Sequence, residues 1–412
     1  MTKILCFLSL VCLPVFCVPD SSGRESLSVD GYYKNFFYAM DLPTLAGLST
    51  GQDQPFTGSV NNRLRLNLSY SPGDWISFDL SYSPTFQVQD PALLANETQF
   101  AFFRPQVYRA FDLDSRLYPS EDGDVGSFGI SQNLDRAFVT LSPSFADVYI
   151  GRQAISWGSA RVVNPTDIIA PFSFDQLDTE ERIGVDAVRI RIPTGIMGEM
   201  DLGTVFGEDL EFRESAVFLR GRFYAVDTDF FLLLLKFQEN LLAGVDIARS
   251  IGGAGFWFES VYVFADAFHE NEGENYAKAT IGIDYSFSDK TYSFVEYHWN
   301  QAGGRDPEEY LTRLTAVAYT EGATYLLGKH YLIPGVTYQI TPLISLDSQI
   351  LINLLDPSAF LSPRLEYNIA QNIYVSIGAL VGIGSASETG SIFRSEFGEY
   401  PEVYYSSFRI YF

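Results

Sequence analysis

Residues 151–171 read GRQAISWGSARVVNPTDIIAP, a stretch denser in Arg, Trp, Gly and Asn-Pro than a connector requires. Arg152, Arg161 and Asp167 lie in it, and Arg189 and Arg191 follow on the next periodic run. Asp167, Asp175, Asp178, Glu180 and Glu181 supply the opposite sign. Opposed rows of guanidinium and carboxylate across a water-filled space would set up a transverse field that orients polar solutes. The plainer alternative is that these arginines pair with carboxylates inside a wall. The sequence leaves both open.

Other reactive types are sparse. His269 stands beside Glu270, Glu272 and Glu274, but without calcium-loop spacing. His298, in Tyr-His-Trp-Asn, lacks a distinct serine motif and a third orienting group, so acyl transfer is disfavoured. No phosphate loop, dinucleotide fingerprint or zinc pattern occurs. Cys6, Cys12 and Cys17 are the only cysteines, and all precede residue 18. We expect no catalytic, cofactor-binding or metal site.

The elements that hold these residues are strands. Leu64, Leu66, Leu68 and Tyr70 alternate with Arg63, Arg65, Asn67 and Ser69. Ser71-Pro-Gly-Asp74 turns the chain, and Ile76, Phe78, Leu80 and Tyr82 then alternate with Ser77, Asp79 and Ser81. Such hairpins recur to the end of the chain. The same periodicity predicts strands near Leu27–Tyr38, Gln99–Phe111 and Thr324–Lys329. Phe230–Phe237 is apolar on both faces and far shorter than the ~20 residues of a membrane helix, which fits a strand with a packed inner side. Asp306 and Pro307 open a short helix near 307–319.

Bulk properties agree. Aromatics make up 15% of the chain, with 25 Tyr and 34 Phe, enough for girdles at two membrane interfaces. A formal charge of −24 argues against nucleic acid as a partner. Lys3 followed by the apolar run Ile4–Val18 reads as a signal peptide over residues 1–22, cut without lipidation. The fold class is therefore all-β: a transmembrane antiparallel meander barrel over residues 23–412, of about sixteen strands within a range of 14–18. Residues near 155–183 would fold inward.

In Tyr404–Phe412 the even-numbered side is mainly apolar, while the odd-numbered side carries Arg409 and Tyr411. This final strand, ending in Phe, resembles the C-terminal signature of bacterial outer-membrane β-barrels. The resemblance implies recognition by the barrel assembly machinery. Gly151-Arg152-Gln153, Ser156-Trp157-Gly158 and Asn164-Pro165-Thr166-Asp167 resemble a segment of a poorly characterised class of Gram-negative barrels grouped near porins. It implies an outer-membrane location among lipid and lipopolysaccharide, and passive diffusion of small polar solutes. Arg63, Arg65, Arg152, Arg161, Asp167, Arg189, Arg191 and Arg409 are the expected lumen or constriction residues. Three rival readings stand beside it: a scaffold for a periplasmic or redox partner, a transporter of hydrophobic compounds, and an outer-membrane hydrolase. A homo-oligomer is compatible with each.

Overall fold

The computed structural model describes residues 26–41, 56–90, 108–120, 123, 126–269, 273–386 and 393–412. The expected signal peptide lies outside them. The strands are β1 (Ser26–Met40), β2 (Thr57–Gly73), β3 (Ile76–Gln89), β4 (Arg116–Tyr118), β5 (Phe128–Leu141), β6 (Asp147–Gln153), β7 (Val185–Thr194), β8 (Gly198–Val205), β9 (Ala216–Ala225) and β10 (Thr228–Phe237). They continue with β11 (Asn240–Ile251), β12 (Ala254–Phe264), β13 (Tyr276–Ser288), β14 (Thr291–Asn300), β15 (His330–Thr341), β16 (Ile344–Asn353), β17 (Ser358–Ala370), β18 (Ile373–Ile383) and β19 (Val403–Tyr411). Each wall strand pairs antiparallel with its sequence neighbour, except that β3 pairs with β5. The three-residue β4 only extends the edge of β5. Eighteen staves thus close the cylinder, at the top of the expected range and two above its central value.

Closure is made by the two ends of the chain. β19 pairs with β1 in the register Lys34↔Arg409. The Phe412 N–H donates to the Gly31 carbonyl at 3.0 Å, and the Gly31 N–H donates back at 2.9 Å. The strand pattern explains the two faces. On β12, Trp257, Glu259, Val261 and Val263 are buried, while Tyr262 and Phe264 are exposed. On β10, Leu233, Leu235 and Phe237 are buried, whereas Leu232 and Leu234 are more than half exposed. Outward side chains form an apolar skirt and inward ones meet a packed interior. Short turns close one end, several through left-handed backbone, as at Val226-Asp227 and Gly252-Gly253. The long connections gather at the other, loop end.

Three expectations change in detail. Tyr108–Phe111 carries no strand, and residues 99–107 lie outside the described part. Thr324–Lys329 is not a strand either. Tyr325, Leu326 and Leu327 are instead buried as loop side chains, so packing rather than pairing explains their apolar character. The helix is split into α1 (Pro307–Arg313) and α2 (Val317–Thr320). Asp306 stands at the N-cap of α1 without a side-chain cap bond.

Candidate functional site

Residues 154–184 join β6 to β7 and run through the inside of the cylinder. Their first limb packs on the inner face of β9 and β10. Ile155 is fully buried, and the Trp157 ring meets Phe218 edge-on at 4.9 Å. Leu233, Leu235 and Phe237 belong to the same cluster. The doubly apolar strand Phe230–Phe237 contributes to the outer skirt on one face and packs this limb on the other.

The next turn is held by wall carboxylates. Glu259 Oε1 accepts the N–H groups of Ser159 and Ala160, both at 2.6 Å, and its Oε2 accepts the Thr166 hydroxyl at 2.8 Å. Glu296 accepts the N–H groups of Arg161 and Val162, the latter at 3.0 Å, and the Trp257 indole N–H at 2.9 Å. Asp246 accepts the Ser159 hydroxyl. A carboxyl group offers several lone pairs at once, and here these acceptors satisfy a turn that no strand partners. Gly158 makes the approach possible. Its φ is +108°, and a methyl there would overlap the Asn164 carboxamide and the Glu259 carboxylate. The Ser156-Trp157-Gly158 and Asn164-Pro165-Thr166-Asp167 motifs are thus two sides of one pinned turn.

The middle of the segment is braced internally. Arg182 Nη1 lies 2.6 Å from Asp167 Oδ2 and donates to the Ala170 carbonyl at 2.7 Å. Its guanidinium covers the Phe172 ring at 3.7 Å. Arg161 reaches from the segment to the wall, with Nη2 2.6 Å from Asp284 Oδ2 and its guanidinium 5.0 Å from the Trp257 ring centroid.

The far limb ends in a cradle of cations on β1, β2, β5 and β19. Lys34 Nζ lies 3.1 Å from Asp178 and 2.7 Å from Glu180. Arg63 is 3.1 Å from Asp178, and the Tyr411 hydroxyl donates to Glu180 at 2.7 Å. Arg65 and Arg136 share Asp135, each at 2.7 Å, and stand 3.6 and 3.7 Å from Glu181. Arg409 pairs with Glu366 and lies 3.9 Å from Glu180. The structure therefore gathers Arg63, Arg65 and Arg409 at one place, against the acids of the segment.

The remaining expected residues lie elsewhere. Arg189 and Arg191 are on the inward side of β7, each pairing along the wall: Arg189 with Asp201 and Arg191 with Glu199, both at 2.6 Å. They do not face Asp178–Glu181 across a gap, so the two opposed rows are replaced by separate paired clusters. Arg152 has the strand parity of Val148 and Ile150, not that of the inward Tyr149. It bonds Asp186, Asp112 and the carbonyls of Phe111 and Leu134, fastening residues 108–112 to the wall near the loop end. Strand parity excludes Arg152 from the inner group. His298 is buried, with Nδ1 2.8 Å from the Thr280 hydroxyl, which itself donates to the Val163 carbonyl. His298 thus buttresses the segment.

Two cavities lie between the far limb and the β14–β19 wall. The larger, about 530 Å³, is bounded by Asp178, Glu180, Arg409, Tyr374 and Tyr411 among others. The smaller, about 370 Å³, is bounded by Arg161, Phe174, Phe294, Asp347 and Gln349. Leu177, Thr179, Arg364 and Tyr405 border both. Sequence reading missed Lys34, Glu259 and Glu296. Glu259 and Glu296 are each the one acidic residue of an aromatic-rich strand, and Lys34 is the one basic residue of β1; that isolation was the available signal.

No protein-family model matches the chain, and no similar sequence is found among curated proteins. Solved structures do resemble it. OccAB4 of Acinetobacter baumannii superposes with a TM-score of 0.58 at 9% identity, covering 94% of this chain and 98% of that one. A BenF-like porin from Pseudomonas fluorescens Pf-5 gives 0.56 at 10% identity, covering 94% and 98%. OpdQ of Pseudomonas aeruginosa gives 0.54 at 11% identity, covering 94% and 97%. At such identities the likeness is one of fold.

Proposed function

We propose that the chain is a bacterial outer-membrane channel through which small hydrophilic solutes diffuse passively. One observation carries this reading. A segment of the chain crosses the interior of a closed cylinder, is tied to opposite parts of the wall, and borders cavities lined with charged and hydrogen-bonding groups. A barrel wall satisfies every strand N–H and C=O without water, so it is stable in lipid, and its apolar skirt faces the acyl chains. The inward segment narrows the passage, and selectivity follows from width and lining charge rather than from a reaction.

Arg63, Arg65, Arg161, Asp167, Arg189, Arg191 and Arg409 belong to this lining as members of ion pairs, together with Lys34. The field a solute meets is then a mosaic of short dipoles, weaker than two opposed rows would give. Lipid, lipopolysaccharide and the barrel assembly machinery are the partners of such a protein. The BenF-like porin with the same fold agrees with this reading. Steady single-channel conductance of the purified protein in a planar bilayer tests it. Absence of conductance, with a periplasmic protein copurifying, would favour a scaffold instead.

A further inference from the structure

The larger cavity and its neighbour combine two features that together point to one solute class. First, the charges bordering them are spent on one another. Arg409 pairs with Glu366, Arg364 Nη2 lies 3.3 Å from Asp347, and Asp178 is held by Lys34 and Arg63. An ion binding here would compete with partners already in place. A neutral hydroxyl group would not, because a paired guanidinium keeps spare N–H donors and a paired carboxylate keeps spare lone pairs.

Second, aromatic rings on the wall border both cavities. A Cβ on Gly378 would sit 2.5 Å from the Tyr405 ring carbon Cζ, and one on Gly335 would overlap the Phe294 ring. Each ring thus packs against the bare backbone of a glycine on the neighbouring strand, where no side chain competes for the space. Tyr374 and Tyr411 continue the aromatic lining, with ring centroids 5.8 Å apart. Ring faces beside planar hydrogen-bonding groups match the two surfaces of a pyranose, apolar C–H patches and equatorial hydroxyls. The 530 Å³ volume falls within the roughly 300–1,000 Å³ of small-molecule sites.

We propose that these cavities bind a neutral polyhydroxylated solute, a sugar of one or two rings, on its way through the barrel. The proposal rests on the channel reading above. Maltose is the probe. In a planar bilayer it should block the ion current reversibly, and the block should be insensitive to salt concentration. Tyr405→Ala and Tyr374→Ala should weaken the block about tenfold while leaving the open level measurable. If either variant fails to fold, Tyr374→Leu keeps the bulk and removes the flat face.

Equilibrium dialysis of radiolabelled maltose against the purified barrel gives a second readout that needs no current. Conductance without block or binding by maltose would overturn the proposal and leave the channel intact. Block by benzoate or acetate, weakening with salt, would overturn it in favour of an anion site. Absence of conductance with maltose bound would instead remove the channel reading and keep the site.

Discussion

Lys34 Nζ stands 2.7 Å from Glu180 Oε2, joining the first wall strand to the far limb of the inward segment. The lysine side chain is 0% exposed, and it also contacts Asp178 and lies 4.2 Å from the Tyr32 ring centroid. A buried ammonium with carboxylate partners is tolerable; without them it is costly. Asp178→Asn with Glu180→Gln should therefore destabilise by about 3–5 kcal/mol, because Lys34 is left unpaired. Lys34→Met should cost less, since Asp178 keeps Arg63 and Glu180 keeps Tyr411. Urea unfolding in detergent or lipid would rank them. The reverse order would mean that the far limb is not held through Lys34.

Gly158 sets how closely the turn approaches Glu259. Gly158→Ala should push the turn from the wall and cost about 1–3 kcal/mol through lost hydrogen bonds and a strained φ. Hydrogen exchange at Ser159 and Ala160 reads this directly. Their protection should fall while that of β12 is kept. Unchanged protection would show that the methyl is accommodated.

Two carboxyls off the wall strands, Asp167 in the inward segment and Glu396 at the loop end, give a pH response. Burial raises Asp167 from 3.8 to about 6, against the opposing pull of Arg182. Burial likewise raises Glu396 from 4.5 to about 7. A carboxyl whose pKa is higher folded than unfolded takes up protons on folding. Its stabilising effect is fully present below the unfolded value and is lost as pH rises through the folded one. The segment and the loop end should thus be firmer at pH 5 than at pH 8, by at most about 3 kcal/mol for each group. Hydrogen exchange of residues 155–170 and 393–399 checks this, and Asp167→Asn should flatten the response of the first region. Greater protection at pH 8 would contradict it.

Val226 sits in a two-residue hairpin turn with φ +52°, a conformation that β-branched side chains resist. It is exposed, so nothing in its packing offsets the strain. Val226→Asn should stabilise by about 1 kcal/mol. A higher unfolding midpoint at unchanged slope is the expected result.

The wall was legible because its pattern is local. Leu64 to Tyr70 declares two faces through alternation alone, and the terminal Phe412 fits the closure with Gly31. The stave count was less legible, since a run such as Thr324–Lys329 has a strand's composition yet is buried as loop. Gly158, Asn164-Pro165 and Asp167 marked the segment by their density, but where it leads depends on contacts between residues far apart in sequence. Lys34 with Asp178, separated by 144 positions, leaves no periodic trace. Arg152 looked like a lumen residue by composition; strand parity reverses that. Pairing of Arg189 and Arg191 with carboxylates inside the wall was one of the two readings left open; which carboxylates they take depends on the register between β7 and β8.

The central claim is that the pinned segment limits passage through the barrel. It is tested by single-channel conductance of the native chain beside Glu259→Leu with Glu296→Leu, which removes the acceptors for the N–H groups of residues 159–162. The native chain should conduct steadily, and the double variant, if still a folded barrel by its circular dichroism, should show a higher and noisier unit conductance. An identical unit conductance in the two would contradict the account.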